Sequence, residues 1–203
     1  MYQRKVFERY LRPHEEQLLL RYVAQFDNVL AKRDHAWMRL MRNTGVRVCV
    51  VVGLTVNDAR QALRTDYLAI RGEINKGGAA HRLFVTKQIR RDLTALLRIR
   101  AQQGHAEAPD GELVMSRQLG KGISVRALQQ RMQKWVKESG LPVDASPHWW
   151  RHTLAKRVLA VSQSKDPQGV IQHLLGHADR RSTVIYTQPD RDDVEQDLRN
   201  AQS

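Results

Sequence analysis

The chain has 203 residues, of which 41% are hydrophobic and 27% are charged, a composition that fits a globular protein and excludes a membrane-embedded one. Lysines and arginines number 34 against 21 aspartates and glutamates, so the formal net charge is +13. A positive excess of this size predicts a polyanionic partner, namely DNA, RNA or an acidic membrane surface.

A single cysteine and the lack of long apolar runs exclude further classes of protein. Cys49 alone excludes a disulfide framework and any zinc or iron–sulfur site built from several cysteines, and its apolar neighbours predict a buried side chain. The longest apolar run, residues 48–52, is far shorter than the roughly 18 residues of a membrane-spanning helix, and the N-terminus lacks a signal-peptide pattern. We therefore expect a soluble, cytoplasmic protein with no membrane partner.

The first fifty residues predict mainly helices. Pro13 followed by two glutamates is typical of a helix start, and apolar residues at helical spacing extend this helix to about Lys32. A second helix is predicted over 35–43, ending near Gly45. The apolar segment 46–54 fits a strand and a helix equally well by pattern alone.

A β-hairpin is predicted next, because strand patterns over 67–71 and 81–86 flank the segment 72–80, which contains the pair Gly77-Gly78. The rest of the chain is predicted to be helical apart from an exposed loop over 102–111. These helices cover 87–103, 124–138, 146–161 and 167–176, and the acidic tail from Asp190 is compatible with another. The fold class is therefore α+β and mostly helical, with one small β-hairpin or sheet.

Two histidine pairs raise the question of a metal site. His148 and His152 are four residues apart, as are His173 and His177, so each pair lies on one face of a helical turn. Neither pair encloses a glutamate as in a zinc-protease helix, no carboxylate ligand lies close by, and short histidine patterns often arise by chance. We predict no metal and no cofactor.

Phosphodiester chemistry explains more of the same residues. His148 and Arg151 share a helical face, and the forked guanidinium suits two non-bridging oxygens of a phosphodiester. Tyr186 follows His177 by nine residues, and a tyrosine hydroxyl attacks phosphorus when a base or a positive field offsets its ordinary pKa of about 10.

These residues, as His148-Trp-Trp-Arg151-His-Thr, Leu174-Leu-Gly-His177 and Tyr186, resemble the catalytic signature of the tyrosine recombinases, the phage-integrase family. Two more boxes of that family occur in the expected order. Thr44-Gly-Val-Arg47, with Gly53-Leu-Thr-x-x-Asp58 after it, resembles the family's first arginine box. Asn75-Lys76-Gly-Gly, followed by Arg82-Leu-Phe-Val, resembles its lysine-bearing hairpin.

The resemblance implies a role for each member of the set Arg47, Lys76, His148, Arg151, His177 and Tyr186. Tyr186 would attack the scissile phosphate, leaving a 3′-phosphotyrosyl bond and a free 5′-hydroxyl, while Arg47 and Arg151 stabilise the transition state. Lys76 would protonate the departing 5′-oxygen. His148 would assist proton transfer at the nucleophile, and His177 would hydrogen-bond the phosphate, with no metal or ATP required.

One position departs from the family. Three residues after the first arginine the family has an orienting carboxylate, whereas this chain has Val50. We expect Arg47 either to be less rigidly held or to be oriented by another acid such as Asp58. Trp149 and Trp150 are interpreted as core residues, and His152 and His173 as structural rather than catalytic.

The implied organisation is one catalytic domain over residues 1–203, with a core of about 11–188 and a tail of 189–203 that docks on a neighbouring copy. Because only about ten residues precede the first helix, no N-terminal core-binding domain is expected, an organisation that resembles the small bacterial DNA invertases. A fragment of a longer integrase is the alternative.

The expected activity is site-specific recombination of double-stranded DNA by a homotetramer on two sites, with an accessory DNA-bending protein, in the bacterial cytoplasm at the nucleoid. A catalytically weak DNA-binding regulator and a type IB topoisomerase-like enzyme are the alternatives; an RNA-binding role has only the charge in its favour. The helix starting at Ser124 is the candidate for reading DNA, with a solvated outer face as the competing interpretation. The candidate DNA-binding residues are Arg82, Arg126, Gln129, Gln130 and Lys134.

Overall fold

The structure is a computed structural model that describes residues 8–76, 79–105, 108–118, 120–177, 181–189 and 191–202. Its helices are α1 (Pro13–Ala24), α2 (Val29–Thr44), α3 (Val48–Gly53), α4 (Val56–Thr65), α5 (Lys87–Gln102), α6 (Val125–Glu138), α7 (His148–Val161), α8 (Pro167–Leu175), α9 (Arg181–Thr187) and α10 (Arg191–Ala201). Its strands are β1 (Tyr67–Ile70) and β2 (His81–Phe84). The predicted α+β, mostly helical class is confirmed. None of the described helices is long and apolar enough to span a membrane.

The prediction of one helix running to Lys32 is wrong, since the chain forms two helices there. α1 ends at Ala24, and α2 begins at Val29 rather than at the predicted residue 35. The cause is local, because the Asn28 side chain accepts a 2.9 Å hydrogen bond from the Ala31 amide and so caps a new helix. α2 ends as predicted at Gly45, whose φ of 64° lies in the left-handed region.

The ambiguous apolar segment is helical, and a helix that the pattern did not predict follows it. α3 begins directly after Arg47, and α4 is capped by Thr55 and Asp58 in a reciprocal pair of hydrogen bonds. Thr55 Oγ1 accepts from the Asp58 amide at 3.1 Å, and Asp58 Oδ2 accepts from the Thr55 amide at 2.9 Å. These short helices set the direction in which the chain leaves Arg47.

The predicted hairpin is confirmed as an antiparallel pair, in which Tyr67 is opposite Phe84 and Ile70 is opposite His81. Its inner face is buried, whereas Arg82 and Phe84 lie on the exposed face. Gly77 and Gly78, which were predicted to lie in the connection, are outside the described residues.

A buried carboxylate attaches α6 to α2. Asp34 is fully buried, and its Oδ2 accepts from Arg131 Nε at 2.5 Å and from Trp135 Nε1 at 2.8 Å. Its Oδ1 accepts from Arg33 Nε at 3.1 Å and from Trp37 Nε1 at 3.2 Å. Because a buried carboxylate is costly unless it is well paired, these contacts hold one face of α6 against the core. The opposite face of α6 is left exposed.

Helices α8 and α9 pack on α7 and complete the fold around the candidate site. α8 ends as predicted at Gly176, with a φ of 61°, and α9 packs against both α7 and α8. A small second core joins Ala155, Ile171, Leu175 and Tyr186. Trp149 and Trp150 are buried in the main core, as predicted.

Candidate active site

Arg151 lies at the centre of the candidate site and is 2% exposed. Its Nη1 donates to the carbonyl of Gly45 at 2.8 Å, and its Nη2 donates to the carbonyl of Leu175 at 2.7 Å. One guanidinium thereby joins the turn before Arg47 to the end of α8, two segments far apart in the chain. Close packing supports this joint, because a Cβ on Gly45 would lie 2.7 Å from a methyl group of Leu175.

Arg47 is held by Asn75, a residue for which the sequence predicted no role beyond its place beside Lys76. Its Nη1 donates to Asn75 Oδ1 at 2.7 Å, and Asn75 is 5% exposed. The expectation that Asp58 orients Arg47 is wrong, because Asp58 accepts from Arg71 Nη2 at 2.9 Å as well as capping α4. Val50, at the position of the family's carboxylate, is buried in the core.

Tyr186 is 3% exposed and lies between aromatic neighbours. Its ring is stacked on His177, with centroids 5.8 Å apart and planes at 8°, and His152 meets it edge-on at 4.8 Å. Tyr186 also lies close enough to Arg151 to counter the lowering of that arginine's pKa by burial. The candidate nucleophile therefore lies near the guanidinium that is expected to bind phosphate.

His177 is oriented by α9, the helix that carries Tyr186. Its Nδ1 lies 2.9 Å from Thr183 Oγ1, and Thr183 is buried. This contact leaves Nε2 as the ring nitrogen available to a ligand. A threonine three residues before the tyrosine is visible in the sequence, but nothing in the pattern showed that it would meet His177.

His152 lies closer to the candidate nucleophile than its interpretation as a structural residue suggested. It is 5% exposed and packs edge-on against both His148, at 4.8 Å, and Tyr186, at the same distance. The spacing of four residues from His148 was a visible signal for the first contact. Only the packing of α9 on α7 creates the second. His173, by contrast, is exposed.

The imidazoles of the site are held neutral. Burial, together with Arg151 and Arg47, lowers the pKa of His148 to about 4, although part of this residue is exposed. Burial and the same arginines lower the pKa of His177 to about 4. Burial, with His148 and Arg151 adding to it, lowers the pKa of His152 to about 3. At neutral pH these rings can therefore accept hydrogen bonds or a proton.

The positive charge of the site resides on its arginines. Burial lowers the pKa of Arg151 to about 10, and the neighbouring Tyr186 opposes that shift. A group with this pKa remains protonated at neutral pH, so a buried cation faces the tyrosine. Among the described residues, no group of three or more histidine, cysteine, aspartate or glutamate side chains is arranged to hold a metal ion.

Lys76 lies on the hairpin connection, where it is exposed. It follows Asn75 directly, so the side chain that holds Arg47 also adjoins the lysine in the chain. The structure therefore brings Arg47, His148, Arg151, His177 and Tyr186 into one site, and it attaches the lysine's loop to that site through Asn75.

The candidate DNA-binding residues on α6 share one exposed face. We call this face, made of Arg126, Gln129, Gln130 and Lys134, the α6 outer face. The first three of them, with Gln133 and Ser146, line a surface groove. Because Ser146 lies just before α7, the groove adjoins the helix that starts with His148. Lys134 also lies over the Trp135 ring and 3.7 Å from Glu138.

The phage integrase family model matches residues 9–192, which is almost the whole chain. The chain belongs to the phage integrase family. This membership confirms the resemblance drawn from the arginine, lysine, histidine and tyrosine boxes.

The curated relatives are similar over the same region. Tyrosine recombinase XerC of Azotobacter vinelandii is 36% identical over 165 residues, which cover 81% of this chain and 50% of the relative. The same enzyme of Pseudomonas aeruginosa strain UCBPP-PA14 is 36% identical over 167 residues, with the same coverage. The chain thus spans about half the length of the curated relatives it matches.

Solved structures share the fold. XerA recombinase superimposes with a TM-score of 0.72 at 21% identity, covering 96% of this chain and 65% of that one. XerH site-specific recombinase, bound to its difH substrate before cleavage, gives a TM-score of 0.70 at 18% identity, covering 89% of this chain and 50% of that one. A lambda integrase dimer bound to a core site gives 0.63 at 17% identity, covering 92% and 49%.

Proposed function

We propose that this chain forms the catalytic domain of a site-specific DNA recombinase, which cleaves and rejoins double-stranded DNA through a 3′-phosphotyrosyl intermediate. The observation that carries the proposal is the packing of Tyr186 against His152 and His177 beside the buried Arg151. A nucleophile, a phosphate-binding cation and proton acceptors are then present in one place. The XerC relatives and the DNA-bound XerH support the same activity.

In the cleavage step, the Tyr186 oxygen forms a bond to phosphorus while the bond from phosphorus to the 5′-oxygen breaks. The phenolic proton passes to a neutral imidazole, for which His148 is our candidate. Arg47 and Arg151 bind the non-bridging oxygens, and His177 donates through Nε2 to one of them. Charge that develops on the phosphorane is met by cations that the fold already holds in position.

The leaving group needs a proton, because an alkoxide is a poor leaving group. In our proposal the ammonium of Lys76 gives that proton to the 5′-oxygen and becomes a neutral amine, and the free 5′-hydroxyl departs. The phosphotyrosyl bond conserves the energy of the phosphodiester, so a 5′-hydroxyl from another strand can reverse the step without ATP. Rejoining to the new strand completes one strand exchange.

We further propose that the α6 outer face and Arg82 contact the DNA. Arginine and glutamine pair bidentately with the edges of guanine and adenine in the major groove, and all of these side chains are exposed. The net charge of +13 supports a large phosphate contribution to affinity, which falls steeply as salt rises.

The assembly belongs to the same proposal. Exchange of two duplexes requires four cleavages, so we propose a homotetramer on two sites, with residues 189–203 docking on a neighbour and an accessory protein bending the DNA. The lambda integrase dimer on its core site is a precedent for more than one copy on DNA. Such an enzyme would act at the nucleoid in the bacterial cytoplasm.

Covalent trapping tests the function. The protein and a Tyr186→Phe variant are mixed with nicked DNA fragments tiled across the region around the protein's own gene. Denaturing gels are then examined for a protein–DNA adduct that protease removes. We expect an adduct from the unchanged protein on one fragment and none from the variant.

Three other outcomes would contradict parts of the proposal. An equal adduct from the variant would remove Tyr186 as the nucleophile. Binding without an adduct on any fragment would favour a DNA-binding regulator. Relaxation of plasmids that lack the site, at catalytic amounts of protein, would favour a topoisomerase of type IB.

A further inference from the structure

Asn75 uses both groups of its side-chain amide to join two parts of the candidate site. Its Oδ1 accepts from Arg47 Nη1 at 2.7 Å, and its Nδ2 donates to the carbonyl of Ala79 at 2.8 Å. Its backbone amide donates to the carbonyl of Gly72 at 3.1 Å. Lys76 lies inside the segment that the bond to Ala79 closes.

The chemistry of these bonds suits an amide at this position. A guanidinium only donates and a carbonyl only accepts, so the residue between Arg47 and Ala79 must offer one acceptor and one donor. Asparagine does both with one short side chain. A carboxylate would still bind Arg47 but would face the Ala79 carbonyl with no donor, and a glycine would bind neither.

Both ends of the hairpin connection are attached to segments that bear candidate catalytic residues. At its start, Ile74 packs against Gly53, where an added Cβ would lie 2.4 Å from the isoleucine side chain. At its end, His81 packs against Gly176, where an added Cβ would lie 2.6 Å from the imidazole. The connection is thus packed against the site at its start and at its end. Asn75 is its last buried residue before Lys76.

We propose that Asn75 is a positioning residue that orients Arg47 with its amide oxygen and places Lys76 with its amide nitrogen. It holds Arg47 where the apolar Val50 cannot, and it couples that arginine to the lysine. The inference rests on the proposed function, since Lys76 acts as the acid only if the chain cleaves DNA.

The first test uses the free protein and no DNA. We expect Asn75→Ala and Asn75→Asp to speed amide hydrogen exchange in peptides from residues 71–84, and Lys76→Ala to leave it unchanged. Asn43→Ala is the matched control, because Asn43 also bonds an arginine and a second group but lies on α2. Unchanged exchange in both Asn75 variants would overturn the inference whatever happens on DNA.

The second test measures adduct formation on the trapped site with two substrates. One carries the native phosphodiester, and the other has sulfur in place of the 5′-bridging oxygen. With the sulfur substrate, the tyrosine oxygen bonds to phosphorus, the phosphorus–sulfur bond breaks, and the thiolate leaves with its electron pair without needing a proton. The sulfur substrate therefore removes the need for Lys76.

The amide oxygen and the amide nitrogen of Asn75 predict different cleavage rates on the two substrates. Lys76→Ala is expected to slow cleavage of the native substrate by about 100-fold. On the sulfur substrate its cleavage rate should return to that of the unchanged protein. Asn75→Asp, which keeps the Arg47 contact, is expected to slow it by about 10-fold or more and to recover likewise. Asn75→Ala is expected to recover only partly, because the orientation of Arg47 is also lost.

The placement of Lys76 by Asn75 would be overturned if the Asn75 variants cleaved both substrates more slowly by the same factor. It would also be overturned if they cleaved both at the unchanged rate. If the unchanged protein forms no adduct while the exchange test succeeds, the recombinase proposal fails, and the catalytic part of this inference fails with it. If adducts form but exchange is unchanged, only the inference fails.

Discussion

The ring of His152 packs edge-on against the ring of Tyr186, with centroids 4.8 Å apart and an angle of 78° between the planes. His152 is 5% exposed and Tyr186 is 3% exposed, so this contact is part of a packed interior. The position of the tyrosine therefore depends on a residue of another helix that was interpreted as structural from the sequence.

We expect His152→Ala to slow adduct formation by about 10- to 100-fold while leaving the Kd for DNA unchanged, because the proposed nucleophile Tyr186 would lose its alignment. His152→Phe keeps an aromatic ring at the same place and should retain more of the rate. Single-turnover trapping and a binding titration measure the two quantities. His173→Ala, at an exposed position, is the control, and a change in Kd alone in His152→Ala would contradict the prediction.

The histidines of the site predict a pH-dependent stability. Folding lowers the pKa of His148 and His177 to about 4 and that of His152 to about 3, below the ordinary 6.5. Between these values the unfolded chain binds protons that the folded chain does not, so the free energy of unfolding is greatest above about pH 6.5 and falls as the pH drops toward 4.

Urea denaturation at several pH values between 7.5 and 5 measures this slope. His152→Gln removes one of the three groups and should flatten the profile, whereas His14→Gln, at an exposed position outside the site, serves as the control. A free energy of unfolding that does not change over this range would show that the rings are not held neutral.

The buried carboxylate of Asp34 predicts a large stability effect. Asp34→Ala leaves the buried Arg33 and the partly buried Arg131 without their partner, and breaking such a pair costs about 3–5 kcal/mol. Chemical denaturation measures the loss. Asp27→Ala breaks an exposed pair with Lys32 and should leave stability close to that of the unchanged protein. Equal effects of the two substitutions would contradict the role given to Asp34.

Alanine substitutions at Gly45 and Gly104 distinguish the cost of backbone strain from the cost of steric crowding. Gly45→Ala places a side chain at a φ of 64° and 2.7 Å from a methyl group of Leu175, so both terms apply. Gly104→Ala, at a φ of 75° with open space around it, carries the strain alone. We expect the first substitution to destabilise by at least about 1 kcal/mol more than the second and to slow cleavage, because Arg151 donates to the Gly45 carbonyl. Melting curves and trapping check both effects.

The α6 outer face predicts a change in specificity rather than in chemistry. Replacing Arg126 and Gln130 together by alanine should narrow the difference in affinity between the trapped site and random DNA, since each bidentate contact is worth about 1–3 kcal/mol. Competition binding at fixed salt measures that ratio. If the ratio of the two affinities did not change, the α6 outer face would be a solvated surface and not a DNA-reading one.

Local signals in the sequence determined much of this protein. Ser124, Asn75-Lys76 and the glycines at 45 and 176 lie where helix caps, the hairpin connection and helix ends occur, because capping and turn geometry depend on near neighbours in the chain. The order of the arginine, histidine and tyrosine boxes was also visible without a structure, and it led to the family. The break at Asn28 was missed because apolar spacing continues across it.

Only the tertiary structure decided how these parts meet. The bond from Arg47 to Asn75 spans 28 residues, that from Asp34 to Trp135 spans 101, and that from Arg151 to Gly45 spans 106. A hydrogen bond between such distant groups depends on how whole helices pack, and the periodicity of either segment carries no record of it. For the same reason the sequence supplied the candidate nucleophile, whereas the packing of α9 on α7 supplied its neighbours.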